Sequence, residues 1–252
     1  MWAIRAIIAA LWPDLADPRN RRADKPLRVL DPCVGEGGFL LELARLTKDR
    51  PGLRPEMVGI DIRPEAVARC HDEIAKTGGT GVLLAADFLA ADRSAMPVPG
   101  WPVETCPGDF DLVMSNPPYG PRGSDLATAF VKESLEWVRE SGSVVMLLRL
   151  NWASDGETDF GRGSWLRAGN MPEQNILDRR PSFVNGGTDS CGYAAFRWVR
   201  GRQSRESTWR IIRCDQGYVS HVLSIIGFNT EHFRPDDWRK SGRKRQDGEI
   251  SA

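Results

Sequence analysis

The sequence lacks the cysteine patterns of a disulfide framework or a zinc site. Its five cysteines are odd in number and widely scattered, and no two of them form a Cys-x-x-Cys pair. This distribution predicts neither disulfides nor a bound metal. It also favours a reducing compartment, so we predict a cytoplasmic location.

Long hydrophobic runs are also missing, since none approaches the roughly 18–20 residues that span a bilayer. The apolar start, from Trp2 to Leu11, is interrupted by Arg5 and followed by Pro13. It has no basic leader and no small-residue cleavage site. We interpret it as a core helix stopped by Pro13, and we predict no membrane partner.

The chain has no net charge, because 34 basic residues balance 34 acidic ones. The balance hides an asymmetry: residues 1–161 carry 18 basic and 24 acidic side chains, and residues 162–252 carry 16 and 10. Ten arginines and no lysine occur from Arg162 to Arg213. Arginine makes forked contacts to phosphate, so this stretch indicates either a nucleic-acid contact or a solvated basic face.

Strand and helix patterns alternate through the first 150 residues. Helical spacing covers residues 37–47, 64–76 and 126–140, and buried-strand patterns cover residues 27–31, 57–62, 81–86, 110–115 and 143–150. Continuous apolar strands joined by helices predict a parallel sheet covered on both faces. The predicted fold class is α/β, with a doubly wound, Rossmann-like sheet that binds ligands at the carboxyl ends of its strands.

The pattern weakens after residue 150. We predict a long polar loop over residues 151–170 and further strands over residues 174–178, 193–199 and 208–214, which add a C-terminal antiparallel element to a mostly parallel sheet. Residues 1–233 are predicted to form one domain. The polar, basic residues 234–252 are predicted to be a disordered tail.

A glycine loop with the sequence DPCVGEG, at residues 31–37, follows the first predicted strand and opens the first helix. Gly35 and Gly37 allow the backbone to turn tightly and to approach a ligand. The third glycine of a dinucleotide-binding GxGxxG motif is absent. The loop by itself is therefore weak evidence for a nucleotide-like ligand.

Acidic residues end three successive predicted strands, at Asp31, Asp61 and Asp87. Asp61 is placed to accept both hydroxyls of a ribose, although it could instead cap the next helix. Asp87 could accept from an adenine amino group beside the aromatic face of Phe88. Alternatively, Asp87 caps a turn and Phe88 belongs to the core. The three acids together with the glycine loop favour a nucleoside site.

The fourth predicted strand ends in Asn116-Pro117-Pro118-Tyr119, called here the NPPY segment. Two prolines fix the backbone and remove two donors, so the segment is a stiff turn that exposes an amide, a carbonyl and an aromatic ring. The amide oxygen of Asn116 and the carbonyl of Pro117 can accept both hydrogens of an exocyclic aromatic amine. This arrangement frees the nitrogen lone pair for attack, and Tyr119 can stack on the base.

These features resemble the class I S-adenosylmethionine-dependent amino-methyltransferases, especially the N6-adenine DNA methyltransferases, over about residues 27–200. Residues 179–196 are also similar to small phage and prophage-type adenine methyltransferases. The resemblance implies S-adenosyl-L-methionine as cofactor and the NPPY segment as the catalytic site. The cofactor-binding residues it implies are Asp31, Pro32, Gly35, Gly37, Asp61, Ile62, Asp87 and Phe88.

The resemblance further implies that Phe183 packs on a flipped base. No separate target-recognition domain is evident, so nucleic-acid contact is expected from the basic residues Arg179, Arg180, Lys240, Arg243, Lys244 and Arg245, with DNA favoured over RNA. A partner protein is a further possibility for target recognition. Trp152 and Trp165 could also stack on bases.

The chain departs from the family at its start, where the family usually carries an aromatic-x-Thr-Pro segment. Either the start is truncated or Trp2 and its neighbours take that place. Three alternative functions stay open: an RNA amino-methyltransferase, a protein glutamine methyltransferase, which shares the NPPY segment, and a catalytically impaired nucleic-acid-binding homologue.

Overall fold

The computed structural model describes residues 2–15, 25–90, 108–119, 125–154, 161–181, 191–228 and 230. The α-helices in these ranges are α1 Trp2–Leu15, α2 Gly38–Thr47, α3 Pro64–Lys76, α4 Leu126–Trp137, α5 Arg162–Arg167 and α6 Gln216–Ile225. The strands are β1 Arg28–Asp31, β2 Glu56–Asp61, β3 Val82–Ala85, β4 Phe110–Ser115, β5 Val138–Arg149, β6 Glu173–Leu177, β7 Tyr193–Val199 and β8 Trp209–Ile212. Within the same ranges, no helix is both long and apolar enough to cross a membrane.

The strands form one sheet in the order β3-β2-β1-β4-β5-β7-β6-β8. Among the described strands, β7 alone runs antiparallel to its neighbours, which are β5 on one side and β6 on the other. The remaining pairs in the described ranges are parallel. The predicted fold class, a mostly parallel doubly wound sheet with a C-terminal antiparallel strand, is confirmed.

Alternating side chains of each central strand enter two apolar clusters on opposite faces of the sheet. Leu112 of β4 joins the cluster that contains α1, α2, α3 and α6, and its neighbour Val113 joins the cluster that contains α4 and α5. Helix α1 is fixed to α2 by a buried ion pair between Arg5 and Glu42, with 2.5 Å between Nε and Oε1. This pair holds the first turn of α1 beside the start of α2.

Helix α1 does not stop at Pro13, as the sequence had led us to expect, but continues to Leu15. A proline near a helix end removes only one hydrogen bond, and the last turn is packed against the protein. Trp12 lies 4.9 Å from Phe228, centroid to centroid, and Leu15 is buried.

The boundary between α4 and β5 also differs from the prediction. The helix ends at Trp137, and β5 begins at once with Val138, which pairs with Phe110 of β4. The register then shifts before Leu112 pairs with Ser143, where Ser141 adopts a positive φ of 63°. Burial of Val138 against β4 therefore outweighs the helical spacing of the sequence.

Two helices lie where none was predicted. The short α5 lies inside the predicted loop and is held by buried Leu166. Helix α6 follows β8 and buries Val219 and Leu223, four residues apart, with the Asp215 side chain accepting from the backbone N–H of Tyr218 at 2.9 Å. An Asp cap before this spacing is a helix signal that the sequence contains and the prediction missed.

Candidate active site

The order of the strands places a topological switch between β1 and β4. The chain moves from β1 outward to β2 and β3, then returns to β4 and continues outward on the other side through β5. Ligands of open α/β sheets bind at the carboxyl ends of the strands beside such a switch. The glycine loop, Asp61, Asp87 and the NPPY segment all follow strand ends at this edge, so the structure brings the predicted residues together.

The glycine loop turns through left-handed backbone at Gly35 and Gly37, with φ values of 53° and 95°. A Cβ atom at Gly37 would lie 2.9 Å from the Sγ atom of Cys70. Both the backbone conformation and the space therefore require glycine at position 37. The backbone N–H of Gly35 points away from the loop and donates to Asp61 Oδ2 at 2.9 Å.

Asp31 is buried at the end of β1 and joins the two central strands. Its Oδ1 atom accepts from the Ser115 hydroxyl at 2.6 Å and from the Cys33 backbone N–H at 3.1 Å. Burial raises the pKa of Asp31 to about 7, although these two hydrogen bonds act in the opposite direction. Asp31 thus ionises near neutral pH and is hydrogen-bonded to the residue that precedes Asn116.

Asp61 ends β2 and is almost fully engaged by its neighbours. Its Oδ1 accepts from the backbone N–H and from Nε of Arg63, both at 3.0 Å, and its Oδ2 accepts from Gly35. Burial acts to raise the pKa of Asp61, but the hydrogen bonds outweigh it and hold the pKa below its usual value. The next residue, Ile62, is 68% exposed, so an apolar side chain stands open to the cavity beside an ionised carboxylate.

Asp87 caps a turn and Phe88 belongs to the core, and both also lie at the wall of the cavity. Asp87 is exposed and accepts from the Leu89 backbone N–H at 3.0 Å, which caps a short turn. Phe88 is buried and stacks on Phe130 with 5.7 Å between ring centroids. Both residues nevertheless line the same cavity as Asp61, so the turn cap and the core ring also form part of its wall.

In the NPPY segment, Asn116 and Pro118 are exposed, Pro117 is buried and Tyr119 is half-buried. The guanidinium carbon of Arg149 lies 4.8 Å from the Tyr119 ring centroid, and the ring of Tyr193 approaches it edge-on at 6.5 Å. Burial raises the pKa of the Tyr119 phenol above its usual value. Tyr119 is therefore a neutral ring with one face already covered by an arginine.

Two cavities meet at this edge of the sheet. One, of about 930 Å³, is lined by Ile62, Asp87 and Tyr119 among others, and the second, of about 990 Å³, extends along the glycine loop to Trp2 at the start of α1. Three residues line both cavities: Cys33, Arg63 and Asn116. An elongated ligand can thus span both cavities past Asn116.

Sequence reasoning missed four residues that shape this site: Arg63, Ser115, Arg149 and Tyr193. Ser115 and Arg63 lie within two residues of predicted site residues, so their position next to those residues could have identified them. Arg149 and Tyr193 come from separate strands that pair with each other, and no sequence motif marks them.

Arg179 and Arg180 are exposed just after β6, which runs parallel to β5 and therefore ends at the same edge of the sheet. Phe183 and the basic residues Lys240, Arg243, Lys244 and Arg245 lie outside the described residues.

Many other arginines of the basic stretch are held in intramolecular ion pairs. They join Arg162 to Asp125, Arg197 and Arg202 to Glu173, Arg200 to Glu136 and Arg213 to Asp215. For these residues the structure favours a role in the fold over phosphate contact.

The predicted base-stacking role of Trp152 is wrong. Its ring is buried and packs against Phe196 at 5.4 Å and Trp198 at 5.7 Å, centroid to centroid. Trp165 is half-buried beside Trp198 and lines a different cavity, of about 460 Å³, together with the end of β7. Neither tryptophan lines the two cavities at the carboxyl edge of the sheet.

No protein-family model matches the chain. A curated relative, the release factor glutamine methyltransferase of Mycolicibacterium smegmatis, is 36% identical over 101 residues, which cover 39% of this chain and 29% of that protein. The chain therefore matches less than a third of the length of this curated relative.

Solved structures share the fold at low sequence identity. A methyltransferase subunit of a type I restriction-modification system from Streptococcus thermophilus has a TM-score of 0.64 and 13% identity, over 87% of this chain and 51% of that one. A Listeria monocytogenes protein assigned to the class I S-adenosylmethionine-dependent methyltransferases has a TM-score of 0.60 and 14% identity, over 88% of this chain and 68% of that one. The M protein of the type I restriction enzyme EcoKI has a TM-score of 0.57 and 15% identity, over 83% and 47%. The chain thus has the fold of class I S-adenosylmethionine-dependent methyltransferases.

Proposed function

We propose that the chain transfers a methyl group from S-adenosyl-L-methionine to the N6 amino group of adenine in DNA. The observation that carries this proposal is the position of Asn116, which lines both cavities at the carboxyl edge of the sheet. An amide acceptor at that junction can reach a target amine in one cavity while a cofactor extends into the other.

The residues present fit the cofactor that the fold implies. Asp61 is an ionised carboxylate whose oxygens would accept ribose hydroxyls in place of the exposed Arg63 side chain. The exposed Ile62 offers an apolar surface beside Asp87 for an adenine ring. Gly35, which turns through a positive φ of 53°, lines the cavity that extends along the glycine loop. Asp31 would hold a cationic amino group, whose charge would favour its ionised form. When bound, the cofactor supplies an electrophilic methyl group on sulfonium.

The NPPY segment would position the target amine. The side-chain oxygen of Asn116 and the carbonyl oxygen of Pro117 accept its two hydrogens, so that the nitrogen lone pair is no longer fully shared with the ring. Catalysis is then positioning and electrostatic stabilisation on a rigid turn. The hydrogen bond from Ser115 to Asp31 fixes the residue just before Asn116, which supports this rigidity.

An adenine inside a duplex must leave the base stack to reach this turn. Tyr119 would then contact the base with the ring face that Arg149 does not cover. Phe183 is proposed to pack on the base, and Arg179, Arg180 and the basic tail are proposed to contact the backbone. The likeness to subunits of restriction-modification systems also supports a partner protein for target recognition.

Protein glutamine methylation is the second candidate, because the curated relative is a release factor glutamine methyltransferase. A glutamine amide presents the same kind of NH2 group to the NPPY segment. We favour DNA because the Asp31-Pro32 loop and the arginines at the edge of the sheet fit the nucleic-acid enzymes better. RNA stays the alternative on the same chemistry.

The direct test offers tritiated S-adenosylmethionine with duplex DNA, with RNA and with a glutamine-containing release-factor protein, in separate reactions. Nucleoside analysis should find labelled N6-methyladenine in the DNA reaction, and Asn116→Ala should lower its rate of formation by about 10²–10³-fold. Label confined to RNA or to glutamine would overturn the choice of DNA. Label in none of the three, together with no calorimetric binding of S-adenosylhomocysteine, would point to an impaired homologue.

A further inference from the structure

We propose that Arg149 binds a phosphate of the target nucleotide and so selects an amine carried on a phosphodiester chain. This inference rests on the proposed function and names the substrate feature that the site recognises. No sequence motif marks Arg149. It lines the cavity of about 930 Å³ whose wall also contains Tyr119.

The position of Arg149 follows from the unequal lengths of two strands. Ser115, the last residue of β4, pairs with Met146, whereas β5 continues to Arg149. Arg149 therefore projects three residues past the end of β4, at the level of the NPPY segment. Its backbone is fixed on the other side by pairing with Tyr193 of β7.

The guanidinium group of Arg149 lies over the ring of Tyr119. Its central carbon is 4.8 Å from the ring centroid, and Tyr119 also contacts the ring of Tyr193. A guanidinium carries five N–H donors in a rigid planar fork. Such a fork matches two oxygens of a phosphate, and five donors can serve more than one partner.

The charges on the cavity wall favour an anion at this point. The wall carries two carboxylates, Asp61 and Asp87, on the side formed by β2 and β3, and Arg63 on that side is paired with Asp61 at 3.0 Å. Arg149 stands on the opposite side, next to the NPPY segment. It lines the cavity together with Asn116 and Tyr119 of that segment.

The chemistry of the substrate identifies that anion. A nucleotide brings a phosphate on each side of its sugar when the base is flipped into a pocket, and the charge of arginine is permanent. A glutamine side chain brings no negative charge to the same place. Arg149 would therefore favour DNA over glutamine and fix the backbone beside the base, without reading the base itself.

The test compares wild type, Arg149→Ala and Arg149→Lys on duplexes that contain the target site. Sequencing of the methylated bases identifies that site first. One duplex has normal phosphates, and two others carry an uncharged methylphosphonate immediately 5′ or 3′ of the target adenine. One of the neutral linkages should raise the wild-type KM about 10-fold or more, as expected for a lost charge-assisted hydrogen bond. Arg149→Ala should show the same rise in KM on normal DNA, and its KM should not rise further with the neutral linkage. The KM of Arg149→Lys should lie between those of wild type and Arg149→Ala.

Arg167→Ala is the matched control, because Arg167 is an exposed arginine of α5 that lines neither cavity. It should keep the wild-type KM and the wild-type response to the neutral linkage. Thermal melting and S-adenosylhomocysteine binding report whether each variant is folded. If folded Arg149→Ala responds to the neutral linkages as strongly as wild type, the phosphate contact is refuted. If wild type methylates no DNA at all, the proposed function fails instead.

Discussion

The two sides of the sheet use charged residues in different ways. On the side formed by β1, β2 and β3, the acids Asp31, Asp61 and Asp87 lie at or just after strand ends around the cavities. Beyond β5 most of the arginines form ion pairs with acidic residues of the protein itself, such as Glu173, which pairs with Arg197 and Arg202. We infer that the position of a charged residue relative to the switch point, and not the number of like charges nearby, decides whether it lies at the candidate site or in an ion pair of the fold.

The largest expected effect is on the NPPY segment. Asn116→Ala should lower kcat by about 10²–10³-fold, as when one preorganised polar contact to the reacting group is removed. S-adenosylhomocysteine should still bind with wild-type affinity in calorimetry, because the side chain acts on the target amine. An equal loss of binding would show that Asn116 belongs to the cofactor site instead.

The second prediction concerns the arginines beyond β5. Arg197 is largely buried, contacts both Glu173 and Asp14 and donates to the buried Ser143 hydroxyl. Arg197→Ala should therefore lower the free energy of unfolding by about 2 kcal/mol, since it removes a buried side chain together with its charge-assisted hydrogen bonds. Arg202 shares Glu173 but is 63% exposed at its side chain. Arg202→Ala should change stability by less than about 0.5 kcal/mol.

Denaturant unfolding measures both variants, and DNA binding at low salt supplies the contrast. Neither substitution should change DNA affinity. If Arg197→Ala lost much of its DNA affinity while its stability stayed unchanged, the proposed difference between the two sides of the sheet would be contradicted.

The third prediction follows from the raised pKa of Asp31. With a pKa of about 7, the carboxyl group is mostly protonated at pH 6 and mostly ionised at pH 8. If it holds the cationic amino group of the cofactor, S-adenosylhomocysteine should bind about 10-fold more tightly at pH 8 than at pH 6. Asp31→Asn should flatten this dependence, which calorimetry at both pH values would show.

The same group has the opposite effect on the stability of the free protein. Because its pKa in the folded state lies above that of the unfolded chain, its contribution to stability is complete below about pH 4. It is lost as the pH rises through about 7. The melting temperature of wild type should therefore fall relative to Asp31→Asn across this interval, and parallel curves would contradict a raised pKa.

The smallest effect is expected at Arg179 and Arg180, the exposed pair at the active edge of the sheet. Replacing both with alanine should reduce the slope of log affinity against log salt by about 1–2 for DNA, as expected for lost phosphate contacts. Stability should not change. A wild-type slope would place the DNA contacts elsewhere.

The sequence predicted the first half of the fold well because local signals there agree with tertiary packing. Apolar runs, the proline at position 64 and the glycine loop each mark an element boundary, and β1 to β4 lie close to their predicted positions. Beyond residue 150 the strands β6, β7 and β8 also lie close to their predicted positions, but helices α5 and α6 were missed. Leu166 stabilises a helix in what reads as a polar loop.

The residues of the candidate site also differ in how far the sequence predicts them. Asp61 and Asn116 could be placed at the cavity because each lies at the end of a strand that the sequence reveals. Arg149 could not, since its role depends on how far β5 extends past β4 and on the ring of Tyr119. A contact between strands that are paired only in the folded protein leaves no spacing signal in the chain.

The central claim is methyl transfer to adenine N6 in DNA. It is tested most directly by mass spectrometry of nucleosides from the DNA of cells that express either wild type or Asn116→Ala, in a host without adenine methylation of its own. We expect abundant N6-methyladenine with wild type and far less with the variant. Equal amounts in both, or none in either while RNA or protein glutamine is methylated by wild type, would contradict it.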